Sequence, residues 1–318
     1  MKFIRYPNIK QQHKPSVVTI GNFDGVHVGH QALINKVVEL ASVKGLTSVV
    51  VSMQPLASQY FLGKHKVEIL TPFKCKYKLI KTLKVDMFCV LNFNKSFSEL
   101  SAEEFIEKIL FNGVNAKHII IGDDFRFGKD RVGDYNYLKE YCKSSGVMVD
   151  SINTVVRNTN RVSSSLVRES LSLNQFDLVK SYLGRRYSIA GRVRKGQQLG
   201  RTLNFPTINI NLANKVIVLE GIFCVKVAFS NGETHLGAAS IGSRPTVNGT
   251  TKILEVHILD FNKQVYGQNV EVFFYHKIRN EVKFDSLDEL KRHINDDVIK
   301  TRQYFENNIN NNGALREQ

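Results

Sequence analysis

Ten consecutive residues gather groups able to handle phosphate: Gly21-Asn22-Phe23-Asp24-Gly25-Val26-His27-Val28-Gly29-His30. They lie between a short apolar run, Val17–Ile20, and a segment from Val28 to about Lys44 in which Leu33, Ile34, Val37, Val38 and Ala41 recur at helical spacing. A strand end that leads into a helix is where an open α/β sheet receives its ligands. The first helical turn there presents unpaired N–H groups and the positive end of the helix dipole. His27 and His30, three apart, lie on one side of that turn and can reach one anion together, and Gly29 leaves the backbone open to close approach. Alone, the pair also reads as two surface histidines at a helix cap or as two metal ligands. In its strand–loop–helix setting it points to a nucleotide, with Gly21, Phe23, Asp24, Gly25 and Gly29 as candidate binding residues beside the histidines.

Two further segments of the first half fit the same ligand. Gly122-Asp123-Asp124-Phe125-Arg126-Phe127-Gly128-Lys129 follows the strand-like run ending at Ile121, again at a strand end. Ser163, Ser164 and Ser165 open a helix with Arg168 one turn in, a cradle for a triphosphate. In the second half, the stretch from Gly191 to Arg201 is basic and glycine-rich (Gly191, Gly196, Gly200), but it holds no GxxxxGK[ST] signature. Thr207 and Asn209 alternate on a strand, so they share a face and offer two oxygens to a hard cation such as Mg²⁺. Glu255, two before His257, lies on another strand. A carboxylate near a metal-bound nucleotide can serve as the base for phosphoryl transfer to a hydroxyl. From pattern alone, Glu255 reads as an outward polar residue of an amphipathic strand.

The elements that must position these groups fall into two unlike halves. Through residue 184, strand-like runs (Val17–Ile20, Leu46–Met53, Met87–Leu91, His118–Ile121, Val147–Ile152) alternate with helical ones (Val28–Lys44, Lys74–Leu83, Ala102–Leu110, Ser165–Leu171, Phe176–Leu183). Short alternating units predict a doubly wound parallel sheet. Ser101 and Glu104 form a capping box for the third helix. After Leu183-Gly184-Arg185-Arg186 come six strand-like runs: Tyr187–Val193, Pro206–Ile210, Ile222–Phe229, His235–Ile241, Ile253–Leu259 and Val270–Ile278. Asn231-Gly232 marks a hairpin between two of them. A helix from Leu287 to about Phe305 follows, opened by the Ser286/Glu289 box. This half predicts a small antiparallel barrel with a C-terminal helix. The expected domains are 1–184 and 185–306, with a frayed tail over 307–318, and the second is expected to suffice for its own chemistry.

Composition narrows the class. The 318 residues are 42% hydrophobic and 23% charged, with a formal net charge of +15, which excludes a disordered, collagen-like or disulfide-scaffold chain. No apolar run approaches the roughly 18–20 residues of a membrane span, and Met1–Pro7 shows no apolar core of a secretory signal, so a cytoplasmic protein with no membrane partner is expected. Cys75, Cys89, Cys142 and Cys224 are widely spaced, as reduced buried thiols would be. The basic excess is spread over both halves with no arginine block. That argues against a nucleic-acid arm and suits polyanionic nucleotides.

Taken in order, these segments resemble the bacterial bifunctional riboflavin kinase/FMN adenylyltransferase (FAD synthetase) family over nearly the whole chain. GNFDGVHVGH is similar to the family's nucleotidyltransferase signature, and GDDFRFG and SSSLVR to its next two elements. LGRRY resembles its domain junction; NFPTIN, GAASIGSRPT, Leu254–His257 and Ile278–Glu281 resemble its kinase half. The resemblance implies riboflavin, FMN, FAD and ATP as partners and Mg²⁺ as cofactor, ATP being a co-substrate. It implies Glu255 as the kinase base, Thr207 and Asn209 as metal ligands, and the Gly191–Arg201 loop over phosphates. It further implies His27, His30, Ser164 and Arg168 as stabilisers of the triphosphate, and Asp124, Phe125 and Arg279 as flavin-binding residues. One departure stands out. Where the family usually has FxPHP, this chain has Met53-Gln54-Pro55-Leu56-Ala57, so Leu56 replaces a histidine that would face the nucleotide. A kinase with a weakened nucleotidyltransferase domain, and more remotely a basic RNA-binding protein, are the alternatives.

Overall fold

The computed structural model describes residues 1–6, 14–63, 67–152, 155–157, 160–196, 200, 203–212, 218–246 and 249–312. The chain forms two compact units, Met1–Ser164 and Ser165–Gln318.

The first unit is a six-stranded, all-parallel sheet. Its strands are β1 (Lys2–Arg5), β2 (Ser16–Ile20), β3 (Thr47–Met53), β4 (Met87–Leu91), β5 (Ala116–Gly122) and β6 (Met148–Ile152), in the order β1-β4-β3-β2-β5-β6. Two-residue alternation divides the central strands between two cores. Val17, Val50, Phe88, Val90 and Ile120 pack with Ile34, Val37 and Ile80 of the helices Val28–Lys44 (α1) and Phe73–Thr82. Val18, Val49, Val51, Cys89, Ile119 and Ile121 pack on the opposite face with Phe105, Ile106, Ile109 and Leu138. Strands buried on both faces read as continuous apolar runs, which is how this sheet was legible.

Several details differ from the expectation. The edge strand β1, only four residues with Lys2 and Arg5 at its ends, is too short and charged to signal itself, yet it pairs with β4. The helix opened by the Ser101/Glu104 box, with both reciprocal bonds at 3.1 Å, makes one α turn over Ala102–Phe105 and then widens over Ile106–Phe111. A short hairpin, β7 (Val156–Arg157) and β8 (Asn160–Arg161), precedes the helix Ser164–Ser172.

The second unit is a closed antiparallel barrel of β9 (Ser188–Arg194), β10 (Thr207–Asn211), β11 (Gly221–Phe229), β12 (Thr234–Thr246), β13 (Gly249–Ile258) and β14 (Asn269–Arg279), ordered β10-β13-β12-β11-β14-β9. At the Asn231-Gly232 hairpin, Gly232 sits at φ 90° and Asn231 Oδ1 accepts from the Glu233 N–H at 3.0 Å. The helix Phe176–Leu183, read with the first half, packs on the barrel: the Phe176 ring lies 6.0 Å from Phe223 and 6.3 Å from Phe274. Its pattern was legible, but no local signal says which core an apolar face will meet. The C-terminal helix runs Leu287–Asn312, past the expected frayed start at 307; residues 313–318 lie outside those described. It is fixed by a bidentate pair from Arg279 to the buried Asp297 (2.9 and 2.7 Å) and by Phe305 against Tyr275. All four cysteines are unbridged, and burial pushes the Cys89 thiol up to about 12 and those of Cys142 and Cys224 to about 11.

Candidate active sites

In the first unit, β2 and β5 are neighbours where the strand order reverses: the chain proceeds from β2 to β3 and β4 on one side and from β5 to β6 on the other. The turn after β2 carries GNFDG and the turn after β5 carries GDDFRFG, so both line the switch point at which such sheets bind ligands. Gly21 N–H still bonds the Val51 carbonyl at 3.1 Å. Beyond it the backbone places two non-glycine residues in the left-handed region, Phe23 (φ 47°) and Val26 (φ 45°), with Gly25 at 84°. Such conformations cost about 1–3 kcal/mol each and persist only where the surroundings over-determine them. Neighbouring side chains do so here. The buried Asp24 carboxylate accepts from the N–H groups of Leu70 and Thr71 at 3.1 Å, Lys76 Nζ donates to the Asn22 carbonyl at 2.6 Å, and Ser164 Oγ donates to the Asp24 carbonyl at 2.9 Å. Asp24, expected at the nucleotide, directs its carboxylate to the 70–71 backbone and anchors the turn.

His27 caps α1, its Nδ1 accepting from the His30 N–H at 3.3 Å, which leaves Nε2 as the protonated nitrogen of the neutral ring. The two imidazoles stack, centroids 3.6 Å apart. A Cβ at Gly29 would lie 3.2 Å from the His27 ring, so glycine lets the ring fold over the helix start. Nδ1 of His30 is buried without a hydrogen-bond partner among the described residues. Burial, then the charges of His27 and Lys76, hold the His30 imidazole well below its usual 6.5. Lys76, 2% exposed, is itself brought down to about 8 by burial against the opposing pull of Asp24. Sequence reasoning passed over Lys76. The signal was its place on the apolar stripe of its helix, with Phe73, Tyr77 and Ile80.

The remaining first-half candidates lie on other segments of the chain. Ser163 and Ser164 are half-buried at the start of the helix Ser164–Ser172, Ser165 is exposed, and Arg168 follows one turn along. Arg161 of β8 pairs with Asp123 (2.7 Å) and Asp124 (3.2 Å), a partner for Asp124 that the sequence did not disclose; Phe125 stacks on Phe127. Leu56 is buried, and its N–H is held by Gln59 Oε1 at 3.2 Å.

In the barrel, β10 and β13 pair so that Thr207 faces His257 and Asn209 faces Glu255. All four therefore share one face of the pair, with Ile208 buried on the other. Asn209 is buried and its Oδ1 has no hydrogen-bond partner among the described residues, an oxygen left for a ligand. Gly196 lies against it: a Cβ there would fall 2.5 Å from Oδ1. Gly191 meets Ile210 and Gly200 meets the Phe205 carbonyl just as closely, while 197–199 and 201 of the glycine-rich loop lie outside the described residues. A cavity of about 480 Å³ is lined by Gly196, Thr207, Asn209, His257, Asp260 and Tyr266 among others. The Pro206 carbonyl, 3.0 Å from His257 Nδ1, takes the proton there and leaves Nε2 as acceptor. Arg279, expected at the flavin, has its guanidinium engaged by Asp297 and stacked over Phe284. Among the described residues no cluster of three or more His, Cys, Asp or Glu could hold a metal. Thr207 and the orphaned Asn209 oxygen do fit a small hard cation that completes its shell with water and phosphate oxygens.

Comparison with known proteins bears on both sites. A family model described as FAD synthetase matches residues 9–166, and one described as riboflavin kinase matches 183–305. Among curated relatives, the bifunctional riboflavin kinase/FMN adenylyltransferase of Haemophilus influenzae is 41% identical over 288 residues, 91% of this chain and 94% of its own. That of Escherichia coli K12 is 37% identical over 307 residues, 96% and 98% of the two chains. The chain belongs to the bifunctional riboflavin kinase/FMN adenylyltransferase family. Both activities are therefore activities of this chain, and the match over 9–166 favours the bifunctional reading over a kinase alone or an RNA-binding protein. A solved structure from Streptococcus pneumoniae, titled a macrolide-efflux protein, shares the fold with a TM-score of 0.82 at 28% identity, covering 95% of this chain and 99% of its own. No helix among the described residues is long and apolar enough to cross a membrane.

Proposed function

We propose that the barrel, with the helix Phe176–Leu183 packed on it, makes FMN from riboflavin and ATP, and that the parallel-sheet domain makes FAD from that FMN and a second ATP. The observation that carries the kinase assignment is the face shared by Thr207, Asn209 and Glu255 beside the cavity. Glu255 takes the proton of the ribityl hydroxyl, whose oxygen attacks the γ-phosphorus as ADP leaves. Thr207 and Asn209 would hold Mg²⁺, which when bound supplies positive charge to the ATP phosphates. Gly191, Gly196 and Gly200 let the loop backbone close over those phosphates. Arg279, fixed by Asp297, shapes the flavin pocket.

In the second reaction an FMN phosphate oxygen attacks the α-phosphorus of ATP and pyrophosphate leaves, with no covalent enzyme intermediate. His27 and His30, the hydroxyls of Ser163, Ser164 and Ser165, and Arg168 receive the triphosphate, and Asp124 and Phe125 lie on the flavin side. The phosphorylated substrates favour a cytoplasmic protein, and the +15 charge serves nucleotides, not nucleic acid or a membrane surface. Product chromatography after incubation with riboflavin, ATP and Mg²⁺ tests the assignment. FMN and then FAD are expected; His30→Gln should stop the sequence at FMN, and Glu255→Gln should still convert supplied FMN to FAD. Equal FAD output from His30→Gln and the parent would remove His30 from the adenylyltransferase site, and no FAD from the parent would overturn the assignment itself.

A further inference from the structure

We propose that Lys76 is a positioning residue of the adenylyltransferase site, a buried cation that fixes the Asn22 carbonyl and readies the His27/His30 stack for an anion. The inference rests on the reading of that stack as the triphosphate site. Three observations support it. Lys76 Nζ donates to the Asn22 carbonyl at 2.6 Å, at the head of the turn that holds Phe23 and Val26 at positive φ, so the ammonium helps to set the approach to α1. The side chain is 2% exposed, although a lysine among the neighbouring Lys74 and Lys78 could as easily have pointed to water. Its charge is one of those that act on His30, whose ring lies 3.6 Å from that of His27 and whose Nδ1 is orphaned.

The chemistry follows from the sign of the local potential. The charged and titratable groups that act on His30 are His27 on the helix cap and Lys76 on the helix Phe73–Thr82, and the Asp24 carboxylate in the turn opposes the fall in the Lys76 value. With no anion present, a second positive charge beside Lys76 is unfavourable, and His30 stays neutral at pH 7. An arriving triphosphate reverses that potential. His30 can then take up a proton and hold it close to the phosphate oxygens, so binding the correct anion and charging the site become one event. Lys76 thus sets how strongly the empty stack resists protonation. Sequestered behind the Asn22 carbonyl, it does so without needing to touch the substrate.

The test follows the His30 ring by NMR in ¹³C-histidine-labelled full-length protein, with the signal assigned by its loss in His30→Gln. In the parent, the midpoint should lie well below 6.5 and rise when ATP saturates the protein; a midpoint near 6.5 without ATP overturns the proposal even if no variant folds. In Lys76→Met the midpoint without ATP should move up, FMN adenylylation should fall about 10- to 100-fold, and its alkaline limb should shift to higher pH, while riboflavin phosphorylation stays at the parental rate. Lys76→Arg should restore the parental pH profile. If adenylylation by Lys76→Met falls with an unmoved pH profile and His30 midpoint, Lys76 is merely structural and the proposal fails. Should His30→Gln leave adenylylation intact, the underlying reading of the site fails instead.

Discussion

Asn209 stands directly opposite Glu255 across the β10–β13 pair, so a neutral oxygen suited to a cation and a carboxylate suited to a proton meet on one rung of the barrel. Side chains opposed in this way have Cβ atoms about 5 Å apart. That distance brings metal-bound phosphate and attacking hydroxyl within reach of a single pair of residues.

The two members of this rung should separate kinetically. Glu255→Gln keeps shape but cannot accept the proton, and riboflavin phosphorylation should lose roughly 10²–10⁴-fold in kcat with little change in KM. Asn209→Ala keeps the base and should instead raise the Mg²⁺ concentration needed for half-maximal rate. Steady-state rates across a Mg²⁺ series would distinguish the two effects, and equal turnover by Glu255→Gln and the parent would remove Glu255 from the mechanism.

Gly196 sits at ordinary loop exposure, yet any side chain there would intrude on the Asn209 amide at 2.5 Å. Gly196→Ala is expected to raise the KM for Mg²⁺·ATP in the kinase reaction about 10-fold, equivalent to about 1.4 kcal/mol, without affecting FMN adenylylation. Comparing both reactions in one preparation provides the control.

Removal of the Asp24 carboxylate should act on stability before chemistry. Asp24→Ala strands the buried N–H groups of Leu70 and Thr71 and releases a turn held at positive φ, for an expected loss of about 1.5–3 kcal/mol. Denaturant unfolding should show the loss, and FAD formation should decline while riboflavin phosphorylation persists.

The pH dependence of stability carries its own sign. His30 titrates lower in the folded protein than in the unfolded chain, so between the two values the unfolded state binds the extra proton. Its contribution is complete above about pH 6.5 and is lost as the pH falls below it, at up to about 1.4 kcal/mol per pH unit. The parent should therefore lose more stability than His30→Gln between pH 7 and 5.5, as read from unfolding midpoints. A parallel decline in both would contradict the direction.

Sequence legibility followed burial geometry. The double-sided parallel strands and the six barrel strands announced themselves through apolar runs, and the phosphate turns through glycine and histidine at a strand end. Side-chain direction was not written in the pattern. Asp24 turned to the 70–71 backbone, Arg279 to Asp297, Asp124 to Arg161, and Lys76 inward, each because a partner distant in sequence completed it. Thr207, Asn209 and Glu255 were legible as types, whereas their common rung depends on a register that only pairing fixes.

The helix Phe176–Leu183 changes where the chain can be divided. A fragment starting at residue 185 would leave Phe223 and Phe274 without the Phe176 ring, and Arg186 without its pairing to Asp177. Truncating a buried phenylalanine costs roughly 3–5 kcal/mol, a large share of what a small barrel has to spare. A freestanding kinase should therefore begin upstream of Phe176. The residues just before the LGRRY junction work as a keel for the barrel.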